Sequence, residues 1–392
     1  MSTGLVQSDE IAALRDTVTA VCREAGGTRV ARSLVDAGSG YAEKVWRVLT
    51  DQVGLGGLGL PEEYGGLGGL PELVAVGECL GASLMPVPFL SSTVLSGQLL
   101  SRCAEPAAGA LLERLVDGEI VAPVLLDADG RWTPGNLPVH AQATRDGWIL
   151  AGDANFVLDG PGAGHLVLVA RSATGPAVFT LERGTPDVEI ERLTTLDLSR
   201  AQARVRLSGA RATLLASGPE VAARVDSALD VALVVQSAEL LGGAQALLDL
   251  TVEYVRSRRQ FGRPIGSFQA IKHRCADLLV LVETARSAVW RAVEATEPSF
   301  QPMSLAPGYD QATAHADDVA GVLALAEAAS VAKAWCSEAF IEVSAAAVHL
   351  HGGMGFTWEH DAHLYLRRAR SDAALFGDAT YHRERLARLL AW

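Results

Sequence analysis

The chain has 392 residues, 49% of them hydrophobic and 20% charged, with 33 basic residues against 46 acidic and a formal net charge of −13. That length accommodates two or three domains with substantial cores, and the composition is that of an ordinary globular protein. The acidic balance excludes a general nucleic-acid or anionic-membrane binder, which needs an extended basic face, but leaves room for a local basic pocket.

The opening residues MSTGLVQSDE lack the basic start and apolar core of a signal peptide, and no run approaches the roughly 20 apolar residues that span a bilayer, so a cytoplasmic location is expected. Residues 1–118 predict a small helical domain, because apolar residues recur at helical spacing in EIAALRDTVTAVCREA and ELVAVGECLGASL on either side of the glycine-rich GLGGLGLPEEYGGLGG. Over 119–215 the pattern changes to short alternating or β-branched runs, GWILAG, HLVLVAR, AVFTLE and ARVRLSG, which predict a compact antiparallel barrel or sandwich. Residues 216–392 return to long Ala- and Leu-rich amphipathic segments, a helical bundle, with a predicted loop at 295–312. Cys22, Cys79, Cys103, Cys275 and Cys336 are scattered, form no CxxC pair and read as reduced thiols. His273, His351, His360 and His363 lack carboxylate or Cys partners at ligand spacing and read as surface or interface histidines, so no metal is expected.

Two stretches of the C-terminal segment carry chemistry. RSRRQFGRPIGSFQAIKHRCADLL, 256–279, gathers Arg256, Arg258 and Arg259 beside a break made by Gly262 and Pro264. Guanidinium groups hold an anion through forked, charge-assisted hydrogen bonds, and a helix ended by Gly and Pro lets the backbone approach it. The competing reading of the same arginines is a solvated helix face. HLHGGMGFTWEHDAHLYLRRAR, 349–370, sets Gly352, Gly353 and Gly355 after a helical run. Glycine there permits close approach to a ligand, and a helix C-cap would call for it as well.

The order of helices, β module and helices, together with LGLPEEYGGLGG at 58–69 and these two stretches, resembles the acyl-CoA dehydrogenase family of flavoenzymes. The resemblance implies an α+β multidomain fold: an N-terminal helical domain (1–118), a middle β-barrel domain (119–215) and a C-terminal four-helix bundle (216–392). It implies a tetramer in which FAD is shared across a subunit interface. Arg258, Gln260 and Phe261 of the R-x-x-F-G turn would then reach the diphosphate of a neighbouring chain's flavin. His349, standing where relatives carry Gln, and Gly352 and Gly353 would meet its adenosine half. The implied reaction converts an acyl-CoA to the trans-2-enoyl-CoA, with a Glu taking the α proton and an electron-transfer flavoprotein as the usual acceptor.

The chain departs from the family where that Glu belongs. The C-terminal position falls on Phe376-Gly377-Asp378, the alternative position on Ala232, and Leu233 stands where relatives often have Arg. Asp378 is the remaining candidate base, although in a helix two residues rotate a side chain by about 200°, away from the site. Glu239 and Glu359 are near in sequence, with nothing to aim them. The flavin cradle is missing as well: APVLLDADGRWTPG replaces the family's T-E-P-x-x-G-S-D stretch, and Phe156-Val157-Leu158 replaces W-I-T.

Features that reach into a neighbour's site survive, then, while those that would build this chain's own site do not. The asymmetry resembles the companion subunit of heteromeric α2β2 acyl-CoA dehydrogenases, which in actinobacteria degrade steroid side chains and other bulky acyl groups. The expected partners are a related catalytic subunit, an acyl-CoA substrate and an electron-transfer flavoprotein, with no nucleic acid and no membrane. Two alternatives stay open: a homomeric dehydrogenase using Asp378 as an atypical base, and a flavin-free binding or scaffold protein on this fold.

Overall fold

The computed structural model describes residues 9–37, 40–296 and 316–391. The predicted loop at 295–312 lies, beyond its first two residues, outside the described residues, as do the opening eight. Helices come first: α1 (Asp9–Ala25), α2 (Thr28–Ala37), α3 (Glu43–Asp51), α4 (Leu70–Ala82), a π-helix over Phe89–Ser96 that continues into α5 (Gly97–Leu100), and α6 (Pro106–Val116). α4 starts where the Glu72 carboxylate accepts the Gly69 N–H at 2.7 Å, satisfying a donor that the helix cannot. The π-helix is buried along its whole length, and two of its serines staple it to the first strand. Val121 N–H donates to Ser92 Oγ at 3.0 Å, and Ser96 Oγ donates to the Val121 carbonyl at 2.7 Å.

The β module comprises β1 (Val121–Val124), β2 (Val139–Thr144), β3 (Gly147–Leu158), β4 (His165–Ser172), β5 (Gly175–Glu182), β6 (Val188–Arg192) and β7 (Gln202–Ser217). Strands pair in the order β4-β2-β3-β7-β5, and β5 pairs back onto β4 to close a small barrel, with β1 added to β4 and β6 to β7. The expectation of an antiparallel module needs a correction. β1 runs parallel to β4, and β2 meets β4 in parallel through His140 and Arg171. β1 arrives from the helical segment and not through a hairpin, so no tight turn dictates its direction. HLVLVAR is apolar without alternation because β4 is buried on both faces. Leu166, Leu168 and Ala170 fill the barrel with Phe179 and Val205, while Val167 and Val169 pack on the helical core.

The chain continues through α7 (Val221–Ser257), the short strands β8 (Arg259–Gln260) and β9 (Arg263–Pro264), α8 (Gln269–Glu294), α9 (Ala316–His351), α10 (Ala362–Ala374) and α11 (Ala379–Leu389). α7, α8 and α9 pack side by side, with α10 and α11 laid on α9. Every residue from Ala228 to Ala244 is buried, so α7 shows little amphipathic pattern there. Contrary to the sequence expectation, α7 does reach membrane-spanning length and apolarity, but 89% of its most apolar window is buried within the protein. One core joins both helical segments, running from Val18, Trp46 and Leu73 to Val235, Phe340 and Phe376, and a second fills the barrel. α4 and α7 touch backbone to backbone where they cross. A Cβ on Gly81 would lie 2.0 Å from the Glu239 carbonyl oxygen, and one on Gly242 would lie 2.0 Å from that of Glu78.

Candidate functional site

α7 stops at Ser257, and Arg258, extended at φ −66° and ψ 122°, turns the chain outward. β8 and β9 pair Arg259 with Pro264 and Gln260 with Arg263, leaving a two-residue loop of Phe261 and Gly262. Both loop residues have positive φ, 50° and 79°, as a type I′ hairpin turn requires. Glycine adopts this freely, whereas a residue with a Cβ is strained there by about 1–2 kcal/mol. Phe261 at the tip is 91% exposed. Among the described residues, none of Arg256, Arg258, Arg259 and Arg263 joins an ion pair. The solvated-helix-face reading therefore fits Arg256 alone, because Arg258 and Arg259 lie beyond the helix. Unpaired guanidinium groups beside an exposed ring suit an anion that carries an aromatic group.

One helical turn before Arg258, Tyr254 stacks on His351 with ring centroids 4.4 Å apart and donates its hydroxyl to the His351 carbonyl at 3.4 Å. That contact ties the end of α7 to the end of α9 and brings the two predicted cofactor stretches to one end of the bundle. The His351 Nδ1 lies 2.7 Å from the Ala347 carbonyl, and the His360 ring lies 4.4 Å away. Burial holds His351, His360 and His363 below the usual histidine range, the order expected of packed neutral rings. His349 is exposed. Past α9, Gly352 sits at φ +62°, and an added Cβ at Gly352 or Gly353 would meet no atom of this chain within 4 Å. The backbone angle demands glycine at 352, whereas at 353 nothing in this chain does. The open backbone at 353 thus faces outward, beside the exposed Met354, Phe356 and Trp358. This donor set fits a flavin dinucleotide: guanidinium and amide groups for a diphosphate, an exposed ring for an aromatic face, and bare backbone for close approach.

The two positions for a base are closed. Ala232 and Leu233 are buried in the middle of α7, and Phe376, at φ +61°, belongs to the helical core. The Phe376 carbonyl lies 3.2 Å from Nε2 of His382, whose pKa is pushed down to about 3 by burial and by the nearby Lys333 and Arg385. Asp378 is exposed and caps α11, accepting the Tyr381 N–H at 2.8 Å. Glu239 is paired with Arg200, and Glu359 is exposed. The loop at 125–138 is tied to its own chain. The Asp127 carboxylate accepts from the Asp129 and Arg131 N–H groups and the Thr133 hydroxyl. The indole of Trp132 donates to Asp226 at 2.9 Å. Val157 and Leu158 are buried, with no hydroxyl to offer a ring nitrogen.

Residues 8–119 match the family Acyl-CoA dehydrogenase, N-terminal domain, and residues 222–391 match Acyl-CoA dehydrogenase, C-terminal domain. The chain is 34% identical to acyl-CoA dehydrogenase IpdE2 of Mycobacterium tuberculosis over 92% of its own length and 91% of that protein's. The chain belongs to the acyl-CoA dehydrogenase family. Two solved structures, each 29% identical and covering 98% of both chains, superpose closely. They are the ChsE4-ChsE5 complex from Mycobacterium tuberculosis, at a TM-score of 0.83, and a variant of the Tcur3481-Tcur3483 steroid ACAD, at 0.81. Acyl-CoA dehydrogenases are oxidoreductases that act on acyl-CoA and generally bind FAD.

Within this acyl-CoA dehydrogenase fold lies a buried ionic network that the sequence did not reveal. Arg200, in the β6–β7 loop, pairs with Glu239 of α7 and, at 3.1 Å, with Asp372 of α10. Arg368 pairs with Asp197 and donates to Ser199 Oγ at 2.9 Å. Burial pushes Asp372 above the usual carboxylate range, although Arg200 and Arg368 oppose the shift. Lys333, fully buried on α9, caps the end of α10 by donating to the Asp372 carbonyl at 2.8 Å, and burial lowers its pKa to about 8. The network locks the barrel to the bundle close to the closed base positions. Its only trace in the sequence is charge inside apolar runs, as in SAELLGG and SVAKAWC.

Proposed function

We propose that this chain is the companion subunit of a heteromeric, FAD-dependent acyl-CoA dehydrogenase, an α2β2 assembly in which a related chain supplies the base and the flavin cradle. The observation that carries the reading is an asymmetry. The unpaired Arg258, the Phe261 tip and the open Gly353 backbone face outward, whereas Ala232 and Phe376 are sealed in the core. One similar structure is a ChsE4-ChsE5 complex and another a Tcur3481-Tcur3483 steroid ACAD, which supports a heteromeric partner and a steroid or other bulky acyl-CoA as substrate. A bound FAD would supply the acceptor for the β-hydrogen and its electron pair. This chain's own part is to bind and orient. The Arg258 guanidinium would hold the diphosphate with the Gln260 amide as a further donor, the exposed Phe261 ring would shield an aromatic face from water, and the open Gly352–Gly353 backbone, with His349 nearby, would receive the adenosine half. The partner's carboxylate takes the α proton, an electron-transfer flavoprotein is the acceptor, and the setting is cytoplasmic. The homomeric alternative would require Asp378 to give up its cap.

Flavin absorbance per chain tests the proposal. The protein purified alone is expected to be colourless, and about one FAD per pair is expected when it is co-expressed with a related acyl-CoA dehydrogenase chain that carries the base and the flavin cradle. Full flavin occupancy in the chain alone would overturn it.

A further inference from the structure

Phe261 combines a backbone conformation that a Cβ disfavours with 91% exposure, so the hairpin tip has both strain and lack of burial working against its order. Phe268 supplies the missing support. It is the N-cap residue of the 26-residue α8, at φ −74° and ψ 132°, so its ring is carried by a rigid element. The Phe261 ring meets it edge to face, at 86° and 6.1 Å between centroids. The Arg263 guanidinium lies 4.0 Å over the Phe268 ring, and Arg263 is also the residue that pairs with Gln260 across the hairpin. Arg263, Phe268 and Phe261 therefore form one cluster that fastens the hairpin tip and β9 to α8, and β8 follows through its pairing with β9. Two hydrogen bonds close its base, from Ile265 N–H to the Arg258 carbonyl at 2.8 Å and from Ser267 Oγ to the Pro264 carbonyl at 2.7 Å.

We infer that Phe268 and Arg263 are positioning residues: they hold the hairpin in the one conformation in which Arg258, Gln260 and Phe261 can meet a flavin dinucleotide held by the partner chain. The inference rests on the companion-subunit reading. Its physical content is a population. A ligand binds only the ordered fraction of the hairpin, and the cluster keeps that fraction near unity.

The experiment follows two readouts: backbone amide exchange of Gln260 and Arg263 in the free chain, and flavin release on dilution of the co-purified complex, read by fluorescence. Loss of the edge-to-face and cation–π contacts in Phe268→Ala is expected to speed exchange and weaken flavin retention, each about tenfold. Phe268→Tyr, which keeps the ring, is expected to restore both. Arg263→Met, a surface change that keeps the chain length and removes the charge, is expected to shift both about threefold and carries the test should Phe268→Ala fail to fold. Unchanged exchange, or faster exchange with unchanged flavin retention, overturns the inference. Arg258→Ala separates the two levels. If it lowers retention while Phe268→Ala and Arg263→Met do not, only the brace is wrong; if it leaves retention unchanged, the shared-flavin reading falls and the brace falls with it.

Discussion

Asp378 decides between two accounts of this chain. Its carboxylate caps α11 in extended conformation, φ −81° and ψ 177°, and accepts the Tyr381 N–H at 2.8 Å. A cap of this kind contributes about 0.5–2 kcal/mol, and asparagine caps as well as aspartate. A general base is worth about 10²–10⁴ in rate. Asp378→Asn keeps the acceptor and abolishes the basicity, while Asp378→Ala removes both. In the co-purified complex, Asp378→Asn is expected to leave the melting temperature unchanged and the rate of acyl-CoA oxidation, followed with an artificial electron acceptor, within about twofold of wild type. Asp378→Ala is expected to lower the melting temperature by about 1–2 °C, the shift for loss of about 1 kcal/mol when the two helical segments, which share one core, unfold together, again with the rate retained. A rate loss of about a hundredfold or more in Asp378→Asn with an unchanged melt would refute the reasoning, because the carboxylate would then be acting as the base.

Arg258→Ala removes a charged donor and should weaken flavin retention by the complex about 10- to 100-fold, read by flavin fluorescence on dilution; full retention would remove the clamp from the account. Gly353→Ala meets no atom of this chain within 4 Å, so the free chain should melt within about 0.5 kcal/mol of wild type while the complex loses flavin. His382 supplies a pH dependence. Its folded pKa of about 3 lies below the unfolded value of 6.5, so the unfolded chain binds the extra proton and stability falls as pH drops from 6.5 toward 3. At pH 5 the loss is roughly 2 kcal/mol, and His382→Gln should flatten the stability profile between pH 6.5 and 5 by about that amount in urea titrations.

The strands read from HLVLVAR, AVFTLE and ARVRLSG appear at β4, β5 and β7, because β-branched runs bounded by turns leave a strong local signal. The parallel partners of β4 left none, since pairing direction depends on where the preceding helices deliver the chain. The break after α7 was legible from Gly262 and Pro264. Its hairpin was not, because the two-residue strands Arg259–Gln260 and Arg263–Pro264 are too short to show alternation, and the positive φ at Phe261 is imposed by the two-residue turn against the ordinary preference of a residue with a Cβ. Arg200, Glu239 and Asp372 were illegible for another reason. A charged residue is ordinarily assigned to the surface, and only three-dimensional proximity reveals that two signs cancel in the interior. The acidity of Asp378 suggests a base, whereas its position just before a helix start points to the cap it forms.

The glycine crossing of α4 and α7 has a consequence for the order in which the chain acquires its structure. Leu73 and Leu95 belong to the same core as Val235 and Leu248, so the first helices cannot complete their packing until α7 has been synthesised. At about 5–20 residues per second, the interval from Leu115 to Leu248 is roughly 7–27 s, during which apolar helix faces wait on the ribosome. The barrel, with a core of its own, can close inside that interval. The first part made is then among the last to be finished, and the segment between serves as a folded spacer that brings α7 back to the helices it must meet.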